Sequence, residues 1–359
     1  MAQPSHAHAA AQAMSYGTAA PGGVTSPKHA RSAARTPQGA PHAHRRGGAY
    51  GAHGILVRHA ALAGASVGFW GGSMKLCFLV EEQYRHDGMP LDVIRQLDAW
   101  GHQVDVVWPG RSLIRISEAI RAGSHDAWVL KTVSGGPGLT LLEAAAAVGL
   151  TTVNDARMIR GVRDKALAAV LAARSGLPVP PTYVAARPEE FAELPAVAYP
   201  LVVKPADGSS GRAVRLVASP ECLLETGFEN AGGGLLIAQP YVPNSGTDLK
   251  VYSVAGDLFA TERRSPLHPA HTVRERQVPL TPEIARIAAR IGEVHGLDLY
   301  GADILLGPDG PVVVDVNDFP SFRQVPDAVA RVADAVLRLA RDGARTQAPV
   351  AALALEGAR

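Results

Sequence analysis

Three side chains in the C-terminal third of the chain have the chemistry to hold a divalent cation: Asp303, Asp315 and Asn317. If their segments are strands, residues 315 and 317 share a face, because side chains alternate across a sheet with period two. A turn at Asp309-Gly310 folds the strand carrying Asp303 back beside them. Hard oxygen donors on one rigid face suit Mg2+, which takes one or two carboxylates and completes its shell with phosphate oxygens and water. Acids turned inward along such apolar strands need compensation of that kind for their burial. A solvent-facing acidic strand edge is the plainer alternative.

A second group begins at Lys204 and runs through Asp207, Gly208, Ser209, Ser210 and Gly211. A lysine ending a strand before a small Gly- and Ser-rich loop can meet a polyphosphate, since glycine frees backbone N–H groups to approach it. This is not a Walker loop: the lysine precedes the glycines and no helix opens after them. An ordinary hairpin with a solvated lysine has the same composition. Gln239, Tyr241 and Val242 follow a buried strand, where exposed backbone could pair with an adenine edge. Asp248, Lys250, Arg263 and Arg264 come next and add charge beside the proposed metal strands.

The elements that must position these groups are legible as alternating periodicities. Short apolar runs at 75–80, 104–107 and 127–130 are separated by helical patterns at 91–100 and 139–148, which predicts a parallel sheet with covering helices. No Gly-x-Gly-x-x-Gly follows the first run, so a dinucleotide site is not expected. A single helix is predicted over 159–175, then strands at 200–204, 213–217, 235–239 and 249–255. A helix at 282–295, strands at 302–306 and 312–316, and a helix at 327–340 complete the pattern.

The chain has 359 residues, 47% of them apolar, and two cysteines, which excludes wholesale disorder, a disulfide scaffold and a cysteine-based zinc cluster. Its net charge of +2 conceals a division. Residues 1–73 contain Lys28, Arg31, Arg35, Arg45, Arg46 and Arg58 and no acid, so the remainder is net acidic at −4 and nucleic acid is not an expected partner. Residues 1–54 are dominated by Ala, Gly, Pro, Ser and His and cannot offset an ordering cost of about 1–2 kcal/mol per residue. An organelle leader, a disordered extension and a start codon placed ahead of Met74 all fit this segment, and the last is preferred. The apolar stretch 55–70 is too short to span a bilayer and holds Arg58, so no membrane association is expected.

Taken in order, these pieces resemble the ATP-grasp superfamily, from about residue 154 to 340. The resemblance implies ATP held between two α+β lobes, preceded by a small parallel α/β domain. The expected divisions are an extension at 1–73, an α/β domain at 74–154, a small lobe at 155–241, a large lobe at 242–341 and a tail at 342–359. It further implies that Lys165 and Lys204 touch ATP phosphates, that residues 207–212 close over them, and that Gln239 to Val242 form the adenine hinge. Asp303, Asp315 and Asn317 would hold one or two Mg2+, with Mn2+ as an alternative ion. The Asn154-Asp155-Ala156, Arg163-Asp164-Lys165, Asp248-x-Lys250 and Glu262-Arg263-Arg264 motifs are similar to the RimK-like glutamate ligases. That likeness implies a cytoplasmic, ADP-forming ligase joining small-molecule or peptide carboxylates to amines, with Lys250, Arg263 and Arg264 at the reacting centre and homo-oligomerisation compatible. Asp315, where those ligases usually carry Glu, and Asp315-Val316-Asn317-Asp318-Phe319-Pro320 look like the inositol phosphate kinase branch. A ring-phosphate substrate would draw on Lys131, Arg160, Arg163, Arg263, Arg264 and His268.

Overall fold

The computed structural model describes residues 72–345 apart from 87, 112, 114, 115, 117–124, 132–135, 208–213, 229–233 and 269–272. The expectations for the extension up to residue 71, for Gly208, Ser209, Ser210 and Gly211, and for the tail beyond 345 lie outside the described residues.

Strands β1 (Lys75–Val80), β2 (Gln103–Val107), β3 (Ala127–Lys131) and β4 (Thr152–Val153) form a parallel sheet in the order β2-β1-β3-β4. Alternation along β1 serves both faces. Leu76, Phe78 and Val80 pack on Val93, Ile94 and Leu97 of helix α1 (Gly88–Ala99). Cys77 and Leu79 pack on Leu139, Leu142 and Ala145 of helix α2 (Gly138–Ala147).

The single helix expected over 159–175 is instead two, α3 (Ala156–Arg163) and α4 (Lys165–Arg174). Asp164 breaks it: its backbone is extended and its carboxylate accepts from Ala166 N and Leu167 N, both at 3.0 Å. An Asp N-cap supplies acceptors that the first turn of a helix lacks, so Lys165 opens a helix rather than sitting inside one.

Strands β5 (Tyr183–Ala185), β6 (Leu201–Pro205), β7 (Arg215–Val217) and β8 (Leu236–Pro240) form an antiparallel sheet ordered β5-β8-β6-β7. A larger antiparallel sheet, ordered β11-β10-β9-β12-β13, contains β9 (Thr247–Val254), β10 (Asp257–Arg264), β11 (Arg276–Val278), β12 (Leu299–Gly307) and β13 (Gly310–Asp318). Helices α5 (Pro282–His295) and α6 (Ala328–Asp342) cover it. Past α6 the backbone is tied down, with Arg345 N donating to Asp298 Oδ2 at 2.6 Å.

Two features join the parallel sheet to the large antiparallel one. Leu76, Phe78, Val129, Tyr252, Val254, Leu299, Val332 and Val336 belong to one apolar core, with α6 in its middle. Asn154, fully buried, donates to Leu299 O at 2.8 Å and accepts from Asp298 N and Leu299 N, both at 2.9 Å. The small sheet has a separate core, including Phe191, Leu201, Val203, Val217, Leu223 and Leu236.

Candidate active site

The two antiparallel sheets enclose a cavity of about 530 Å³. Lys165, Lys204, Asp207, Gln239, Tyr241, Val242, Asp248, Lys250, Arg263, Asp303, Asp315 and Asn317 all line it. The hairpin of β12 and β13 sets Asp303 directly across from Asp315 and Gly301 across from Asn317, with a bulge after Asp303. Asn317 Nδ2 donates to Asp315 Oδ2 at 3.2 Å, so these two side chains share a face as their spacing predicts.

Cations are seated on these acids. Lys165 Nζ lies 2.8 Å from Asp315 Oδ1, reaching across from the first residue of α4. Lys250 Nζ lies 2.6 Å from Asp303 Oδ1, and Arg263 Nη2 lies 3.0 Å from Asp303 Oδ2. Arg263 also makes a two-pronged contact with Asp248, at 2.7 and 3.2 Å, the planar match that guanidinium and carboxylate favour. Lys204 Nζ donates to Val314 O at 2.9 Å, spanning from the small sheet to β13. Gly301 makes room for this crossing of charges: a Cβ there would stand 2.9 Å from Lys250 Cε and 3.1 Å from Pro320 Cγ.

Proton affinities follow from this packing. Burial pushes Asp315 toward protonation, but Lys165, Lys204 and Lys250 outweigh it and hold the carboxyl well below the ordinary range. Burial pushes Asp248 up to about 6 despite its bond to Arg263, with Asp303 adding repulsion. Burial lowers the Lys204 ammonium, opposed by Asp315 and assisted by Lys165.

Arg264 does not line the cavity. It follows Arg263 on β10, so alternation turns it to the other face, where it is exposed. Of the remaining ring-phosphate candidates, Arg160 pairs with Glu143 at 2.6 Å on the surface. His268 Nε2 meets Tyr241 Oη at 3.2 Å. Sequence reasoning did not assign Asp318, whose carboxylate takes a two-pronged contact from Arg163 at 3.0 and 2.9 Å and ties the end of α3 to the end of β13. It also did not assign Phe319 and Arg323, which line the cavity from loops whose composition carries no pattern; Tyr84, ending a short 3-10 helix within the 80–90 stretch expected to read an acceptor, lines it too.

The donor set fits a magnesium ion. Asp303, Asp315 and Asn317 offer oxygens of the right hardness on one face, and Asp303 Oδ1, although beside Lys250, is buried and accepts no hydrogen bond of regular geometry. No group of three His, Cys, Asp or Glu side chains suited to a metal occurs among the described residues; here the third donor is an amide.

Two α+β lobes closing on a cavity with these lysines and oxygen donors define an ATP-grasp protein. Comparison with known proteins places it further. Residues 162–338 match the RimK-like ATP-grasp domain. A "Probable alpha-L-glutamate ligase" of Thioalkalivibrio sulfidiphilus is 30% identical over 204 residues, covering 53% of this chain and 67% of that one. The crystal structure of a RimK domain ATP-grasp protein from Sphaerobacter thermophilus superposes with a TM-score of 0.61 at 23% identity, covering 72% of this chain and 98% of that one. The ATP-grasp ligase PsnB, in complex with a minimal precursor, Mg and ADP, gives a TM-score of 0.56 at 19% identity, covering 74% and 97%. The chain belongs to the RimK-like ATP-grasp family, and with that membership it is an ATP-dependent, ADP-forming carboxylate–amine ligase. No described helix is long and apolar enough to cross a membrane.

Proposed function

We propose that the protein transfers the γ-phosphoryl group of ATP to a carboxylate of a peptide or small molecule and joins the resulting acyl phosphate to the amine of an amino acid such as L-glutamate. Carboxylate oxygen attacks the γ-phosphorus and ADP leaves. The neutral amine then attacks the acyl carbon, inorganic phosphate leaves, and one proton is released. The glutamate part of this reading draws on the names of the relatives.

In this reading residues 155–241 and 242–341 are the two lobes, with 74–154 as a companion domain, and a cytoplasmic setting suits the reaction. Lys165 and Lys204 hold the ATP phosphates, and Gln239, Tyr241 and Val242 border the base with Val202 and Leu305. The loop from Asp207 through Gly208, Ser209, Ser210 and Gly211 covers the phosphates. Asp303, Asp315 and Asn317 would hold Mg2+, which neutralises phosphate charge when bound. Lys250 and Arg263, fixed by Asp303 and Asp248, offer preset positive charge to the transferring phosphoryl group and the acyl carbon.

The observation carrying the choice of ligase over kinase is the charge balance of the cavity. Among the described lining residues seven Lys and Arg face six Asp and Glu, and most of these cations are seated on a carboxylate. A ring bearing several phosphates needs cations in excess, whereas ATP with Mg2+ and a carboxylate does not. The test is to supply γ-labelled Mg·ATP with L-glutamate and acidic peptides. Label released as inorganic phosphate only when both a carboxylate and an amine are present supports the ligase. Label retained in a stable organic phosphate would replace it with the kinase.

A further inference from the structure

The large antiparallel sheet presents its cavity face in rows, because residues directly opposite each other on neighbouring strands share a face. Asp303 stands opposite Lys250 and Asp315; one row along, Gly301 stands opposite Tyr252 and Asn317. The other end of β12 is marked by Gly307, where a Cβ would stand 2.9 Å from Val242 Cγ1. From Gly307 to Gly301 a strand rising about 3.4 Å per residue covers about 20 Å. Tyr252 therefore lies past the Asp303 row as seen from Val242, which the proposed function sets beside the base. The chain leaves this far row as residues 319–327, and Phe319, Pro320, Ser321 and Arg323 line the cavity from there.

This segment is held in a conformation that its residues disfavour. Phe319, Phe322, Gln324 and Asp327 have φ of 36°, 48°, 62° and 50°, in the left-handed region that is costly for a residue with a Cβ. Among the described residues other than glycine, only Ala255 shares it. Burial keeps the segment there: Phe319 and Phe322 are each 1% exposed, their ring centres lie 5.9 Å apart, and Phe322 lies 5.8 Å from Tyr252. Strain that the surroundings enforce at the wall of a cavity points to a side chain presented for use. Arg323, between Phe322 and Gln324, is that side chain. It is exposed, so a ligand can reach it. Among the described residues it makes no hydrogen bond and no ion pair, whereas Arg163, Lys165, Lys250 and Arg263 in the same cavity are each seated on an acid. Glu275 also lines the cavity, and both it and Arg323 bear on the buried Tyr252 hydroxyl, yet the two are not paired.

We propose that Arg323 anchors a carboxylate that does not react, on a substrate seated past the Asp303 row from the nucleotide. This rests on the ligase reading above. A planar guanidinium without a counter-charge, on a backbone fixed by its buried neighbours, suits two-pronged capture of a carboxylate. The reacting carboxylate is not the one held. In that reading it meets the γ-phosphorus at the Asp303 row, where Lys250 and Arg263 already supply charge, whereas Arg323 stands on the segment that follows the Asn317 row. The substrate class is a molecule with an acid besides any that reacts: an amino acid serving as the nucleophile, or an acyl partner with two or more carboxylates.

The test removes the second acid from one substrate or the other. The full chain, Arg323→Gln and Arg323→Lys receive γ-labelled Mg·ATP with N-acetyl-glutamyl-glutamate as acyl substrate and L-glutamate as amine. Each substrate is then replaced in turn, the peptide by forms amidated at one carboxyl and L-glutamate by its α-amide and its γ-amide. In Arg323→Gln the expected result is a KM raised about 10- to 100-fold for one of the two substrates, the range for losing a charged hydrogen bond, with the KM for Mg·ATP unchanged. Arg323→Lys should recover part of that loss. For the same substrate, one amide should be as poor with the wild type as the acid is with Arg323→Gln, and the variant should no longer tell the two apart; the substrate that shows this is the source of the carboxylate. A loss of equal size with the acids and with every amide, or no loss at all, overturns the proposal. Wild-type label that no carboxylate and amine release as phosphate, or that collects in a stable organic phosphate, would overturn the ligase reading itself.

Discussion

The two walls of the cavity are antiparallel sheets built by the same rules, yet they carry opposite chemistry. The face formed by β9, β10, β12 and β13 holds Asp248, Lys250, Arg263, Asp303, Asp315 and Asn317, a lattice in which acids and cations neutralise one another. The face formed by β6 and β8 offers Val202, Gln239 and the single cation Lys204. In the proposed reading the difference divides the labour: one wall is preset for charge that moves during the reaction, the other for a neutral base and its grip. A charged wall assembled before ATP arrives has little reorganisation left to perform.

The sharpest way to break this comparison is on the charged wall. Asp303→Asn or Asp315→Asn leaves Lys250 or Lys165 without its counter-charge and removes an oxygen of the metal set. The expected loss is about 10³-fold in kcat/KM, on the scale of removing a preorganised electrostatic group, read from steady-state ADP release. A comparable loss from a residue of the neutral wall other than Lys204 would end the distinction.

Between the walls lies a smaller cavity of about 40 Å³, lined by His295, Lys165, Lys204 and Asp315. Burial lowers the His295 imidazole to about 4. A folded-state value below the unfolded 6.5 means that the unfolded chain binds more protons between those limits, so stability falls as pH drops from about 6.5 to 4. At about 1.4 kcal/mol per unit the loss approaches 3 kcal/mol. Thermal melts of His295→Leu should show a flatter profile over that window; an unaltered slope would show that His295 does not titrate with unfolding.

Arg263→Lys keeps the charge and loses the planar two-pronged grip on Asp248, and should cost about 10- to 100-fold in kcat/KM with a smaller change in ATP affinity. Val202→Ala trims the neutral wall and sets the lower bound. About 1 kcal/mol of lost burial predicts a KM for ATP raised a few fold with kcat unchanged, checked in the same assay.

Reading the sequence reached the charged wall more completely than its surroundings. Asp303, Asp315 and Asn317 were visible because period-two spacing and a Gly turn place them whatever the rest of the chain does. Arg264 was misplaced beside Arg263 because two adjacent charges cannot both face one cavity from a strand, and β10 itself was hidden by its charged end, Glu262-Arg263-Arg264. The helix break at Asp164 escapes the sequence pattern because an acid between Arg163 and Lys165 resembles a solvated surface residue until its carboxylate is seen capping the next turn. Tyr84, Asp318 and Arg323 come together only through tertiary contacts, which leave no local pattern to find.

The sharing of cores sets the mechanics of the molecule. Prising the parallel sheet from the large antiparallel sheet would split the apolar core around α6 and break the three bonds of Asn154. Swinging the small sheet away would leave its own core, around Leu201 and Leu236, intact, break the Lys204–Val314 and Lys165–Ala206 bonds and expose the cavity. The cores therefore divide the cavity unevenly: Asp303 and Asp315 stand on the sheet that shares its core with the parallel domain, whereas Lys204 and Gln239 stand on the sheet with a core of its own.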